Sequence, residues 1–247
     1  MATPEQIAPG IWRAGTRFVN FYLVDGGSGI TLIDAGLPSY GKHLRSALTY
    51  LGRRRDGIEA ILLTHGHVDH AGGSPAAADA GTPIHLHPAD AALANDPRTN
   101  RTERPMRNYA YWPATAAFLA HAVMNGATKA GRLPSTVDLR DREVLDVPGN
   151  PTVRHTPGHT DGSCVFHFPD HEALFAGDLL CTSDPLTGRH VAPQIQTRGS
   201  NLDSGLTMNS LDLVADIDAT WVLPGHGAPW SQGVEQAIRT AKATGCR

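Results

Sequence analysis

THGHVDH, residues 64–70, puts three histidines and an aspartate into six positions, directly after the apolar run AILL and just before two glycines. His65 and His67 are two apart, so both lie on one side of an extended or tightly turned segment. Asp69 continues that alternation, and His70, next to it, must point elsewhere. One short loop therefore offers ligands in two directions, which suits two neighbouring ions better than one. Imidazole nitrogen and carboxylate oxygen are good ligands for zinc and for harder first-row ions. Four unpaired polar groups in an apolar neighbourhood would be costly without a metal.

Three other places repeat a local pattern. TPGHT carries His159 after a strand-like run, FAGD ends one at Asp178, and LPGHG ends another at His226. A glycine precedes each of these residues, where the backbone can turn tightly. Taken singly, a strand-end His or Asp is more often a turn or cap residue than a ligand. Together with the 64–70 loop, the three supply further ligands, and the two oxygens of a carboxylate such as Asp178 can bridge two cations.

The rest of the chain sets the frame. Its 247 residues suit one large domain or two small ones, and 40% hydrophobic against 18% charged residues reads as globular. The formal net charge is −3 and no basic stripe is visible, so neither nucleic acid nor a membrane surface is expected as a partner. MATPEQIAPGIW has no cationic start and no apolar segment, and no apolar run is long enough to span a bilayer. Cys164, Cys181 and Cys246 are odd in number and scattered, which predicts reduced thiols and a cytoplasmic protein.

Strand-like runs are GIWRAG, NFYLVDG, ITLIDAG, AILLTHGH and TPIHLH in the first half. EVLDV, TVRHTPG, SCVFHF, ALFAGD and TWVLPGHG follow in the second. Helix-like segments cover about 40–54, a short piece starting near Pro75 and ending by Ala80, SGLTMNSLDLVAD and GVEQAIRTAKA. Strands in clusters with helices outside them predict an α/β fold in which helices cover the outer faces of two packed mixed sheets. The segment 95–134 interrupts the pattern, starting polar in NDPRTNRTERPMRN and turning apolar in YAYWPATAAF and AAFLAHAVMNGA. It reads either as a lid over the site or as an extra helical hairpin packed on the core.

The motif HxHxDH, unbroken as His65, His67, Asp69 and His70, with His159, Asp178 and His226 following in order, closely resembles the metallo-β-lactamase-fold superfamily. ITLIDAG, with Asp34, looks like that family's first motif. The resemblance covers nearly the whole chain except the insertion. It implies a four-layer αββα sandwich forming a single domain over 1–247, with a dinuclear site at one sheet edge. By that likeness His65, His67 and His159 hold one ion, Asp69, His70 and His226 hold the other, Asp178 bridges, and Asp34 orients the histidine loop. The implied cofactor is two divalent ions, zinc first, with iron or manganese as alternatives. Two cations lower the pKa of a shared water, and the hydroxide attacks an ester, thioester, lactone or amide carbonyl, with Asp69 accepting or shuttling a proton. The implied partner is a small-molecule or carrier-bound acyl substrate; the sequence leaves the oligomeric state open.

Members of the superfamily differ in ways the sequence can be tested against. True β-lactamases generally lack the bridging aspartate and carry an export signal. Glyoxalase II-like thioesterases have a substrate motif after the bridging aspartate that GDLLCTSDPLTGRH does not match, and only 21 residues follow His226. Quorum-quenching lactonases place a tyrosine three positions after that aspartate, where this chain has Cys181. Persulfide dioxygenases, oxidoreductases with one iron on the same scaffold, are the alternative of a different reaction class. Flavodiiron proteins replace the second histidine by glutamate, against His67. Tyr109, Tyr111, Trp112, Phe118 and Met124 in the insertion are candidates to line an acyl pocket, or form the insertion's own core. His85, His87, His155 and His167 read as strand residues, and Arg189 and Arg198 as solvated charges.

Overall fold

The computed structural model describes residues 3–78, 81–129, 132–133 and 135–246. The segment predicted to run from Pro75 to Ala80 ends in residues 79 and 80, and the insertion includes 130, 131 and 134; these lie outside the described residues.

The first sheet has seven strands in sequence order: β1 (Glu5–Ala8), β2 (Ile11–Gly15), β3 (Asn20–Asp25), β4 (Ile30–Ile33), β5 (Ile58–Leu62), β6 (Ile84–Leu86) and β7 (Thr136–Asp138). It is antiparallel from β1 to β4 and parallel from β4 to β7. The second sheet is built from β8 (Thr152–His155), β9 (Cys164–Phe168), β10 (Ala173–Gly177) and β13 (Trp221–Pro224), in the order β13-β10-β9-β8. A two-stranded ribbon, β11 (Cys181–Ser183) with β12 (His190–Gln194), stands apart. The helices are α1 (Gly41–Tyr50), α2 (Val68–Ala71), α3 (Ser74–Ala77), α4 (Ala91–Asn95), α5 (Pro113–Met124), α6 (Ser204–Ser210) and α7 (Val234–Thr244).

Strand alternation makes the layers. In β3, Tyr22 and Val24 face the second sheet, where Phe166, Phe168, Phe175 and Leu223 meet them. Phe21 and Leu23, one residue out of phase, pack instead with Leu44, Ala47 and Leu48 of α1. In β10, Ala173 and Phe175 face inward, while Leu174 and Ala176 pack outward on Leu211 and Val214 and on Val234, Ala237 and Ile238 of α7. Three apolar interfaces separate four layers, α, β, β and α, as the sequence predicted.

Some details differ from the sequence reading. EVLDV makes one isolated bridge, Val144 to Thr152, because the chain turns back at once through Gly149 and Asn150, both at positive φ. The first predicted helix stops at Tyr50 and the SGLTMNSLDLVAD helix tightens to a 3-10 turn at Leu211.

The strands β4 and β5 run parallel, as do β10 and β13, and β8 shares the direction of β10 through the antiparallel β9. Their C-terminal ends gather at one rim, where loops carry side chains out of the sheets.

Candidate metal centre

The candidate ligands, and Asp34, expected to orient them, lie past strand ends at this rim. Asp34 follows β4, His65 lies just past β5, Asp178 follows β10, His226 lies two residues past β13, and His159 sits in the loop after β8. Gly158 and Gly177 adopt φ +131° and +49°, so the chain does turn there into the left-handed region. Gly225 has a different reason. A Cβ on it would stand 2.4 Å from His70 Cε1 and 2.5 Å from Asp178 Oδ1.

The structure brings all seven residues together. Three sets of ligating atoms each lie within 4.8 Å of one another: His65, His67 and His159; His65, His70 and Asp178; Asp69, His70 and His226. Asp178 Oδ2 is at the centre, 3.2 Å from His226 Nε2, 3.3 Å from His159 Nε2, 3.5 Å from His70 Nε2 and 3.9 Å from His65 Nε2. Asp69 Oδ2 lies 3.5 Å from His226 Nε2 and 3.8 Å from His70 Nε2.

The outer nitrogen of every histidine has an acceptor, which fixes the tautomers. His70 Nδ1 donates to Asp34 Oδ2 at 2.8 Å, His159 Nδ1 to Asn201 Oδ1 at 2.9 Å, and His67 Nε2 to Asn100 Oδ1 at 3.1 Å. His226 Nδ1 donates to the Phe18 carbonyl. The Thr64 hydroxyl donates to Asp34 Oδ2 at 2.9 Å and so accepts from His65 Nδ1 at 3.0 Å. The inner nitrogens are left with lone pairs turned on one another. His67 Nδ1 lies 3.0 Å from both His65 Nε2 and His159 Nε2. His70 Nε2 and Asp178 Oδ1 are buried with no hydrogen-bond partner. Converging lone pairs and orphaned buried atoms are what a cation between them would satisfy, so the residues present fit divalent metal ions.

Electrostatics divide the site in two. Burial holds His65 well below the ordinary imidazole value and takes His159 down to about 4. Burial also opposes the charge on His70 and His226, but the carboxylates around them, Asp178 first, with Asp34 and Asp69 at His70 and Asp69 at His226, together outweigh it, and both are raised. Burial would likewise raise Asp178, yet His226 and His70 hold its carboxyl well below the usual range.

Sequence reasoning missed the residues that hold the loops. Asp90 is buried; its Oδ2 accepts from Gly66 N and Thr160 Oγ1 and its Oδ1 from Gly162 N, all at 2.7 Å. It thereby ties the first histidine loop to the His159 loop. Asn201 Nδ2 donates to the Gln196 carbonyl at 2.8 Å, which turns its Oδ1 to His159. Asp90 stands in HLHPAD, beside His85 and His87. His85 there is buried in β6, and His87 stacks on His155 at 4.0 Å, away from the centre.

A cavity of about 310 Å³ opens above the ligands, with His67, Asp69, His159, Asp178 and His226 in its floor. Its walls are apolar, formed by Leu93, Met106, Phe118, Leu119, Val123 and Leu186, and no Lys or Arg is among its described lining residues. Of the five candidates in the insertion, Phe118 lines it, 5.9 Å from the His226 ring. Tyr109, Tyr111 and Trp112 line a separate cavity, and Met124 is 76% exposed. They follow or precede Phe118 on other faces of the chain. Tyr109 is buried, its hydroxyl accepting from Gly199 N at 3.1 Å and so backing the wall from behind. Cys181 is buried in β11, Cys164 is buried in β9, and Cys246 is half-buried, all unpaired.

A four-layer αββα sandwich with a histidine and aspartate cluster at its strand ends defines a metallo-hydrolase-like class of protein. The family model of the metallo-beta-lactamase superfamily matches residues 14–226, and the chain belongs to that superfamily. An uncharacterized protein of Mycobacterium tuberculosis, Rv2581c, is 31% identical over 212 residues, 85% of each chain. A metallo-beta-lactamase family protein of Thermus thermophilus superposes with a TM-score of 0.69 at 27% identity, over 97% of this chain and 80% of that one. TTHA1623, solved in a di-iron-bound form, gives a TM-score of 0.61 at 28% identity, over 91% and 95%.

Proposed function

We propose that the protein is a dinuclear metal-dependent hydrolase that opens an ester, thioester or lactone carbonyl of an apolar acyl substrate. The observation that carries this is the gathering of five histidines with the carboxylates of Asp69 and Asp178 in three overlapping ligand sets, directly beneath an apolar cavity. His65, His67 and His159 would hold one ion, Asp69, His70 and His226 the other, and Asp178 both. Bound there, two divalent ions supply Lewis acidity and make water a nucleophile near neutral pH. The chain's own residues do the rest. The apolar wall seats the acyl chain and excludes bulk water from the floor. Asp69, 13% exposed at its side chain where the other carboxylate is 3%, faces the cavity and is placed to take a proton and pass it out.

Zinc is the metal proposed; the di-iron-bound relative makes iron the comparison. The unpaired cysteines agree with a reducing, cytoplasmic setting. Among the described residues no helix is long and apolar enough to cross a membrane.

The test is metal analysis followed by a panel of acyl esters, thioesters, lactones and β-lactams on zinc-loaded protein, with oxygen uptake from glutathione persulfide measured on an iron-loaded sample. Hydrolysis of neutral acyl substrates, lost in Asp178→Ala, is expected. Protein that takes up well under one ion per chain, or oxygen consumption at enzymatic rates, overturns the proposal.

A further inference from the structure

The chain carries 21 Lys and Arg against 24 Asp and Glu, but the charges are not evenly spread. Between 95 and 134 stand Arg98, Arg101, Arg104, Arg107, Lys129 and Arg132 against only Asp96 and Glu103. The whole-chain balance hides this basic segment inside an acidic protein. Arg98 is paired with Asp96 and Arg101 with Asp161. Among the described residues Arg104, Arg107, Lys129 and Arg132 have no acidic group within ion-pair distance, and all four are exposed.

These cations flank α5, which has no charged residue from Pro113 to Met124 except a titratable histidine. Its outer surface is apolar and open to solvent: Leu119 is 39% exposed, Val123 56% and Met124 76%, with Tyr111 just before it at 76%. Arg104 lines one cavity with Tyr111 and Trp112, and Arg98 and Arg132 line another with Ala127 and Thr128. Ala127 and Thr128 also border the central cavity beside Val123. Arg98 and Arg132 therefore border the mouth of the central cavity, and Arg104 lies beside Tyr111 and Trp112 at the start of α5.

Exposed apolar surface of this kind marks an interaction site. An uncharged helix bracketed by free cations matches a surface that is negative outside and apolar just beneath, which is the interfacial layer of an anionic bilayer. A soluble protein partner would need no such ordering of charge and apolarity. We infer that α5 and its flanking basic residues form a peripheral docking surface for anionic membranes, laying the mouth of the cavity against the lipid. Leu119 and Val123 belong both to the exposed face and to the cavity wall. An acyl chain leaving the bilayer would follow them inward to Phe118. The docking itself does not depend on the hydrolase reading, because it is measured as binding rather than turnover.

α5 is anchored well enough for this task. His121 Nε2 meets the Tyr40 hydroxyl at 2.7 Å, Tyr40 meets Thr16 Oγ1 at 2.7 Å, and Asn125 O accepts from Ser39 N at 3.1 Å. These bonds hold the helix by its inner side and leave the outer one free.

The experiment is co-sedimentation of the intact protein with vesicles of phosphatidylcholine alone and of phosphatidylcholine containing phosphatidylserine, at low and high salt. Two variants accompany it, Arg104→Glu/Arg107→Glu and Tyr111→Ser/Met124→Ser, none of whose residues lines the central cavity. Binding to the anionic vesicles, weakened by salt and reduced at least tenfold in both variants, is expected. Far-UV circular dichroism of the variants should match the parent. No binding of the parent to anionic vesicles at low salt overturns the inference, as does undiminished binding of both variants. Sedimentation velocity showing a dimer that Tyr111→Ser/Met124→Ser dissociates would also overturn it, assigning the face to a second copy of the chain.

Discussion

Asp34→Asn separates the two things Asp34 does. The residue is buried at φ +56°, a left-handed conformation that asparagine tolerates as aspartate does. Its Oδ1 accepts from Thr64 N at 2.8 Å, and its Oδ2 accepts from Thr64 Oγ1 at 2.9 Å and His70 Nδ1 at 2.8 Å. An amide keeps one acceptor oxygen and replaces the other with a donor. If the NH2 faces His70, the imidazole must carry its proton on Nε2, the atom turned toward Asp178 and the proposed ion. If the NH2 faces Thr64, a buried backbone N–H loses its acceptor, at a cost of about 1–3 kcal/mol. In the first case a charge-assisted bond to His70, worth about 1.5–3 kcal/mol, is lost, and in the second it is kept only as a weaker bond to a neutral amide. Loss of such an orienting partner lowers metal affinity about 10–100-fold. Asp34→Ala goes further, orphaning Thr64 N and His70 Nδ1 together and placing alanine at positive φ. Its cost of about 3–6 kcal/mol is a large part of a typical folding stability. The assay is zinc titration against a competing chelator, with urea unfolding of the metal-free proteins in parallel. The asparagine variant should lose about 10–100-fold in affinity at the set containing His70, while its metal-free stability falls by about 1–3 kcal/mol. Wild-type affinity for both ions in Asp34→Asn would refute the reasoning.

Removing metal should lower the melting temperature. An ion at 1,000 times its Kd contributes about 4 kcal/mol, and for a chain of this size that is about 8–16 °C per ion by differential scanning calorimetry. The pH dependence has a definite sign. In the metal-free fold His70 and His226 are raised, so their protonation stabilises the fold below the ordinary imidazole value, and that contribution is lost as pH rises through the raised value. Zinc uptake should therefore release protons, more of them as the pH is lowered toward the ordinary imidazole value, read by titration calorimetry in buffers of different ionisation enthalpy. His65 and His159, depressed by burial, are already neutral there and contribute none. Gly225→Ala should keep the fold but lose zinc stoichiometry, because the added Cβ meets His70 and Asp178 rather than backbone, and its φ is ordinary. Full zinc occupancy in that variant would mean that the site yields more than the contacts allow.

The candidate ligands were legible because chemistry concentrated them. Three histidines and an aspartate in THGHVDH have few uses in an apolar setting, and His159, Asp178 and His226 each follow a glycine at a strand end. The partners of those ligands were not legible. Asp90 and Asn201 act through bonds to residues 24, 70 and 72 positions away and 42 positions away, and nothing in their local sequence marks them. Edge strands were lost for a similar reason. In β1 two of four residues are exposed, and β7 pairs along one side only, so neither shows the alternation that buried β3 and β10 do. The ribbon of β11 and β12 is held by Asp184, whose carboxylate accepts from Leu186 N, Thr187 N and Thr197 N, and no periodicity announces such a bond set.

The insertion fails to be read for a more instructive reason. A helix shows its buried face by the contrast between apolar and polar positions. From Pro113 to Met124, α5 has almost no polar residue to set that phase. Phe118 and Met124 are equally plausible wall residues in such a sequence, yet one lines the cavity and the other is 76% exposed. The absence of contrast that hides the phase is also what leaves the outer face apolar. A helix that needed only to pack would gain solubility from charges on its free side, at no cost to the core. That α5 has none, while four arginines precede it and a lysine and an arginine follow it, is the physical ground for giving its outer face a use.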